Sequence, residues 1–128
     1  MRLLLDTHVL LWAAHEPERL YDHVRGLLLN TDNQLYFSMA SCWEISVKQS
    51  LGKLHLAKPL EHLITDEIAA NGLRLLPIEL SHLVRVGRLP FLHRDPFDRL
   101  LVAQAQVEDF TLVSKDGWVA QYGVATAW

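Results

Sequence analysis

Cysteine, long apolar runs and positive charge are all scarce in this 128-residue chain. The single cysteine, Cys42, excludes an internal disulfide and fits a reducing compartment, and its apolar neighbours predict a buried thiol rather than a nucleophile. No apolar run approaches the ~20 residues that a bilayer-spanning helix needs. The apolar stretch 1–14 is interrupted by Asp6 and His8, and no small-residue cleavage site follows it, so we expect no signal peptide. The expectation is a cytoplasmic protein without a membrane segment.

Zinc-binding motifs are also missing, although the chain has seven histidines. Neither His-x-x-x-His nor Cys-x-x-Cys occurs, and a structural zinc ion needs tetrahedral histidine or cysteine ligands at such spacings. We therefore expect most of the histidines to be surface or core residues. His8 and His93 are the exceptions, because they lie close in sequence to the acidic residues described below and could contact a substrate.

The alternation of short β-prone runs with helical patterns predicts an α/β fold. Half of the residues are hydrophobic and only 21% are charged, so residues 1–128 can bury a full core as one domain. Strands are predicted at 2–6, 34–38, 73–77, 111–114 and 124–127. Apolar stripes predict helices over 20–28 and 60–68, and a short helix is expected at 80–88. With right-handed crossovers the expected fold is a three-layer α/β/α sandwich with a central, mainly parallel sheet of four to five strands.

Four acidic residues stand where an apolar run stops and the next helix should begin: Asp6, Glu44, Asp98 and Asp116. In a wound parallel sheet the carboxyl ends of the strands and the first turns of the helices face one crevice. Acids that are distant in sequence could therefore converge there. Because crowded carboxylates repel one another unless they share protons or a cation, the pattern predicts a divalent-metal site.

Asp6 and Glu44 each have an ordinary structural alternative. Asp6 could cap a helix that starts near Val9, since aspartate is a preferred cap. Glu44 could close a capping box with Ser41, or form an i+4 ion pair with Lys48. Its apolar neighbours favour a functional role for Glu44, because they make a solvated helix face a poor description of this position.

Asp98 has a weaker structural alternative than the other acids, and Asp116 a stronger one. Asp95-Pro96 reads as a helix cap and a first-turn proline, so Asp95 already accounts for helix initiation. Asp98 then heads an apolar helical stripe, where a buried charge is costly unless something compensates it. Asp116 could be a turn residue or a cap without further role, and Ser114 could orient it or bind phosphate.

The net charge of −3 argues against nucleic-acid binding only while all acids are counted. Of the 15 acidic residues, 11 remain if the four acids hold a cation, against 12 lysines and arginines. Arg85, Arg88, Arg94 and Arg99 also cluster near Asp98. Either a phosphate track or a solvated helix face explains that cluster.

Several segments, in the expected order and spacing along the whole chain, resemble PIN-domain toxins of the VapC type. They are Leu-Leu-Leu-Asp-Thr-His-Val-Leu-Leu-Trp at 3–12, Ser-Cys-Trp-Glu-Ile-Ser-Val-Lys at 41–48, His-Arg-Asp-Pro-Phe-Asp-Arg-Leu-Leu-Val-Ala-Gln-Ala at 93–105 and Leu-Val-Ser-Lys-Asp at 112–116. The block at 93–105 is highly specific, and the acid after the last of these strands is much less so. Ser114 departs from the threonine that is more usual there but keeps the hydroxyl.

The resemblance implies a function, cofactors and partners. It implies a PIN-like fold and a Mg²⁺- or Mn²⁺-dependent RNA endonuclease, the toxin of a prokaryotic type II toxin–antitoxin pair. It also implies a homodimer that an antitoxin protein inhibits by covering the site. Carried over residue by residue, the family's acidic quartet falls on Asp6, Glu44, Asp98 and Asp116, as metal-binding and catalytic residues.

Other functions are compatible with parts of this pattern. A Mg²⁺-dependent phosphotransfer or phosphatase domain is one, although Asp6 lacks the acidic partner that a phosphoacceptor or a D-x-D phosphatase needs. A catalytically inactive PIN-fold binding module is another. A histidine-dependent ribonuclease would cleave without metal, so a chelator distinguishes it from the metal mechanism.

Overall fold

The computed structural model describes all residues, Met1–Trp128, as a five-stranded sheet with helices on both faces. In chain order the elements are β1 Arg2–Leu5, α1 Thr7–His15, a 3-10 turn Pro17–Arg19, α2 Asp22–Leu29, β2 Gln34–Ser38, α3 Met39–Ser50, α4 Leu60–Asn71, β3 Arg74–Leu76, α5 Leu80–Arg88, α6 Pro96–Glu108, β4 Thr111–Val113, a 3-10 helix Gly117–Tyr122 and β5 Thr126–Ala127. The predicted strands and the short helix at 80–88 are therefore confirmed.

The sheet is parallel throughout, with the strand order β3-β2-β1-β4-β5. β1 lies at its centre, where Leu4 pairs in register with Tyr36 of β2 and Leu112 of β4. The order of strands reverses at β1, and ligands of open parallel sheets bind beside such a reversal at the carboxyl ends of the strands. The topology therefore predicts a ligand site at the carboxyl ends of β1 and β4.

Two apolar clusters, one on each face of the sheet, form the core. Leu3 and Leu5 point to the face that is covered by α1, α2, α3 and α4, while Leu4 points to the face that is covered by α5 and α6. Alternate residues of a strand face opposite sides, so a strand buried on both faces is apolar at every position. The expected three-layer α/β/α sandwich is confirmed. No helix is both long and apolar enough to cross a membrane.

The helix ends follow local sequence signals, with two small corrections. Gly72 ends α4 in the left-handed conformation, at φ 64°, which glycine adopts without strain. The apolar stripe predicts that a helix begins at Leu20. In the structure α2 begins only at Asp22, because a 3-10 turn precedes it. The helix predicted over 60–68 continues to Asn71.

A buried polar chain links the end of β2 to the two helices, α5 and α6, that cover one face of the sheet. Ser38, at the end of β2, donates to Gln104 Oε1 of α6 at 2.5 Å. Gln104 Nε2 lies 3.3 Å from Nδ1 of the fully buried His82 of α5. The other ring nitrogen of His82 lies 3.0 Å from Glu108 Oε1. These bonds satisfy polar groups that would otherwise be costly to bury, and they tie the start of α3 to α6.

Arg99, one of the four clustered arginines, is buried and has a structural role. Its guanidinium donates to the carbonyl oxygens of Pro90 and Val86 and to the Tyr122 hydroxyl. The side chain therefore holds the segment before α6 in place. Neither a phosphate track nor a solvated helix face describes Arg99, because it is buried and both of its terminal nitrogens donate to protein oxygens.

Candidate functional site

Asp6 follows β1 directly and is almost completely buried, at 5% exposure. Ser114 Oγ, at the end of the neighbouring β4, donates to Asp6 Oδ2 at 2.8 Å and accepts from the Asp116 amide at 3.1 Å. Asp6 stands at the cap position of α1, but its carboxylate accepts no capping hydrogen bond. The capping alternative for this side chain is therefore wrong. Burial is the main reason that the pKa of Asp6 is raised, and only part of the rise is offset by the Ser114 bond.

Glu44 lies inside α3 rather than at its start. Ser38 caps this helix by accepting from the Ala40 amide, because the strand turns into the helix without a loop. The capping box between Ser41 and Glu44 is therefore wrong. Thr7 Oγ1 instead donates to Glu44 Oε1 at 2.7 Å and also lies 2.8 Å from Ser41 Oγ.

The second oxygen of Glu44 is held by the predicted i+4 partner. Lys48 Nζ lies 2.5 Å from Glu44 Oε2, and the glutamate side chain is only 3% exposed. Burial by itself disfavours the charge of Lys48. The Glu44 hydrogen bond, together with the charges of Glu44, Asp95 and Asp98, outweighs burial and raises the pKa of Lys48. Glu44 is therefore an oriented carboxylate with a protonated lysine beside it.

Asp98 sits in the first turn of α6, which Asp95 caps. Asp95 Oδ1 accepts from the Phe97 and Asp98 amides at 2.9 and 3.3 Å, as the sequence predicted. The Asp98 side chain is 16% exposed, and its Oδ2 lies 3.4 Å from His93 Nε2.

The pKa of Asp98, like that of Asp6, is raised. Burial is the first cause, and repulsion from Asp6, Asp95, Glu44 and Asp116 adds to it, so the pKa rises to about 8. Repulsion of this kind acts only over short separations in a protein. The four acids singled out in the sequence therefore share one electrostatic site at the carboxyl edge of the sheet.

Asp116 is the exposed member of the group. It precedes the 3-10 helix and its side chain makes no capping bond there. Together with Asp6 it lines a pocket whose other walls are His8, Val9, Trp12 and Lys115. The sequence does not predict Trp12 and Lys115 as part of the site, because neither side chain is a usual metal ligand.

The donor set suits a hard divalent cation. Mg²⁺ prefers oxygen ligands, retains several waters and needs only a few carboxylates. The buried Asp6 and the partly buried Asp98 both have raised pKa values, so the protein alone does not compensate their charges. Ligand atoms of His93, Asp95 and Asp98 lie within 4.8 Å of one another, which places an imidazole beside Asp98. Asp95 itself is already engaged as the cap of α6.

Fold and site together define an α/β/α protein with an acidic centre at the carboxyl edge of a parallel sheet. The sequence model of the PIN domain matches residues 3–123, so the chain belongs to the PIN-domain family. No curated protein matches the sequence significantly.

Solved structures share the whole fold at low identity. VapBC2 of Rickettsia felis, bound to a DNA fragment from its promoter, is 18% identical with a TM-score of 0.72, covering 99% of this chain and 98% of that one. VapBC-1 of nontypeable Haemophilus influenzae is 17% identical, with a TM-score of 0.64 and coverage of 99% and 97%. A toxin–antitoxin complex from Klebsiella pneumoniae is 12% identical, with a TM-score of 0.64 and coverage of 98% and 96%.

Proposed function

We propose that residues 1–128 act as a single PIN domain that hydrolyses RNA phosphodiester bonds in a Mg²⁺-dependent reaction, as the toxin of a type II toxin–antitoxin system. The observation that carries the proposal is the convergence of Asp6, Glu44, Asp98 and Asp116, with the pKa of Asp98 at about 8. Repulsion among these acids does not stabilise the fold, so their grouping calls for a functional explanation. A divalent cation would relieve it, and Mn²⁺ would serve in place of Mg²⁺.

Asp6 and Asp98 are proposed as the direct metal ligands, because Asp6 is buried, Asp98 is partly buried, and the charges of both are poorly compensated. Glu44 differs, since Thr7 and Lys48 already occupy its two oxygens. Its role is to orient and deprotonate the attacking water, with Lys48 holding the carboxylate in place. Asp116 is exposed and therefore suits a second ion or the water shell of the first.

An ion held here would supply Lewis acidity, lowering the pKa of a water molecule and neutralising charge on the scissile phosphate. The chain itself positions the carboxylates through Ser114 and Thr7. Single-stranded or looped RNA fits an open crevice better than a duplex, because its backbone can approach the acids without a partner strand.

The proposed partners follow from the family and from the neighbours. Structures named VapBC or toxin–antitoxin complex share this fold, which supports an antitoxin protein that covers the crevice. A homodimer through apolar helix faces is proposed as well, since large apolar side chains such as Leu80, Leu83 and Phe91 are exposed. The location consistent with this function is the cytoplasm of a prokaryote.

Cleavage of single-stranded RNA by the purified protein tests the proposal. Activity should require Mg²⁺ or Mn²⁺ and stop in excess EDTA. Asp98→Asn should lower the rate about 100-fold or more, because several kcal/mol of charge stabilisation depend on the carboxylate. Asp95→Asn is the matched control: asparagine caps helices comparably, so activity should persist.

The alternatives give different results in the same experiment. Robust cleavage in EDTA would support a histidine-dependent ribonuclease and refute the metal mechanism. Hydrolysis of a small phosphomonoester without RNA cleavage would favour a phosphatase. Metal binding with neither activity would indicate an inactive binding module.

A further inference from the structure

The pocket that Asp6 and Asp116 share has one wall that the proposed chemistry does not use. Trp12 and Lys115 form this wall, with His8 at its rim. His8 and Trp12 are four residues apart on α1, so they lie on one helix face, and their rings are 5.7 Å apart. An aromatic surface therefore begins directly beside the carboxylates.

The fold holds the Trp12 ring in place from behind. Trp12 is half-buried and packs against the apolar cluster on the α1 face of the sheet. The ring of Trp128, at the end of the chain, lies 5.8 Å from it. A half-buried indole supported in this way loses little freedom when a second ring stacks on it, which makes it a suitable platform.

Two cations flank this indole. Lys115 Nζ lies 5.7 Å from the centre of the Trp12 ring and the Arg19 guanidinium lies 5.2 Å from it. Lys115 is exposed and forms no salt bridge, so its ammonium can leave the Trp12 ring at a small cost in free energy. The acidic centre thus borders a surface that carries both aromatic area and positive charge.

We propose that Trp12 and Lys115 form a subsite for one unpaired nucleotide next to the scissile phosphate. The base stacks on the Trp12 indole, and the Lys115 ammonium moves from the ring to the adjoining phosphate. Stacking platforms combined with cations are the general means of binding single strands, because every base has a π-face. The proposal deepens the proposed function and rests on it for the position of the scissile bond. A basic peptide suits this wall less well, since Lys115 would repel it, whereas the charge of Arg19 is already paired with Glu16.

Binding of fluorescein-labelled octauridylate and octaadenylate tests the subsite, with Ca²⁺ replacing Mg²⁺ so that binding is measured apart from turnover. Trp12→Leu should weaken both complexes about 10-fold or more. Lys115→Gln should weaken them less, and should lower the slope of log K against log salt by about 0.7, the value for one phosphate contact on a single strand.

Tyr36→Leu is the matched aromatic control. Its ring packs against Phe110 and lies near Arg2, at the amino edge of the sheet away from the acids. This variant should bind both oligonucleotides as tightly as the unsubstituted protein does. Because Trp12 supports the core, Trp12→Phe is added: it keeps a ring, and its loss of affinity should be smaller than that of Trp12→Leu at equal thermal stability.

The results separate failure of the subsite from failure of the proposed function. Unchanged affinity and salt slope in folded Trp12→Leu and Lys115→Gln, with Mg²⁺-dependent RNA cleavage intact, would overturn the subsite alone. An effect of Trp12→Leu on a protein partner but not on RNA would also overturn it. If RNA is bound through Trp12 but never cleaved with Mg²⁺, nucleotide binding by Trp12 and Lys115 stands, while the nuclease assignment and the position beside a scissile phosphate fail.

Discussion

Replacing Asp98 by asparagine should make the protein more stable at pH 8 in EDTA, although it removes a carboxylate from the candidate site. The pKa of Asp98 is about 8 in the folded chain, against an ordinary value of 3.8, because of burial and then repulsion from neighbouring acids. The folded state therefore binds this proton more tightly than the unfolded state does. Its stabilising contribution is complete below about pH 4 and is lost as the pH rises through about 8.

The magnitude follows from the same values. Each pKa unit corresponds to about 1.4 kcal/mol, so the rise to about 8 sets an upper limit of roughly 6 kcal/mol. Screening through the crevice and relaxation of neighbouring acids reduce this to about 3 kcal/mol. For a chain of this length that is a gain of roughly 10 °C in Tm for Asp98→Asn at pH 8, shrinking towards pH 5.

Thermal and urea unfolding from pH 5 to pH 8 in EDTA measure this difference. Asp66→Asn is the control, because Asp66 is an exposed aspartate whose pKa is lowered by its hydrogen bond to Lys58. Its contribution changes only at acid pH, so this variant should parallel the parent protein over the range. Added Mg²⁺ should stabilise the parent more than Asp98→Asn. A destabilised Asp98→Asn at pH 8, or a difference that does not vary with pH, would refute the electrostatic reasoning.

Three further predictions concern the buried polar groups and association. Gln104→Leu should cost about 2–3 kcal/mol in urea unfolding, because Ser38 and His82 lose a buried partner; a neutral result would contradict the role of the polar chain. Arg99→Met should destabilise by about 2–4 kcal/mol while leaving the RNA affinity of the folded protein unchanged, and a lower salt slope would restore the phosphate-track interpretation. Light scattering at micromolar concentration should report about twice the 14.6 kDa chain mass, and a strict monomer would contradict the proposed homodimer.

The strands were predictable because a strand that is buried on both faces is apolar at successive positions. Leu3, Leu4 and Leu5 form one continuous apolar run, and the acid that follows marks the carboxyl edge. Parallel topology then brings strand ends together whatever their separation in sequence. The juxtaposition of Asp6 with Ser114, 108 positions apart, follows from that rule and needs no detailed packing.

Side-chain partners were predictable only where they are local. The Glu44–Lys48 pair follows from helical spacing, and Asp95 from helix-cap chemistry. Ser41 was misassigned because a strand that turns straight into a helix moves the cap to the strand's last residue. The structural role of Arg99 was not predictable, because its side chain donates to backbone carbonyl oxygens. Every residue type has such an oxygen, so the sequence does not identify these partners.

Both outer strands of the sheet are short: β3 has three residues and β5 only two. An exposed strand edge invites another chain to add a strand, and proteins limit this risk by keeping edge strands short. This molecule therefore offers almost no backbone template at either border. Any protein that binds it must recognise side chains on the helices or in the crevice, where substitutions can separate one partner from another. Related PIN domains can thus differ in their choice of partner while keeping the same sheet.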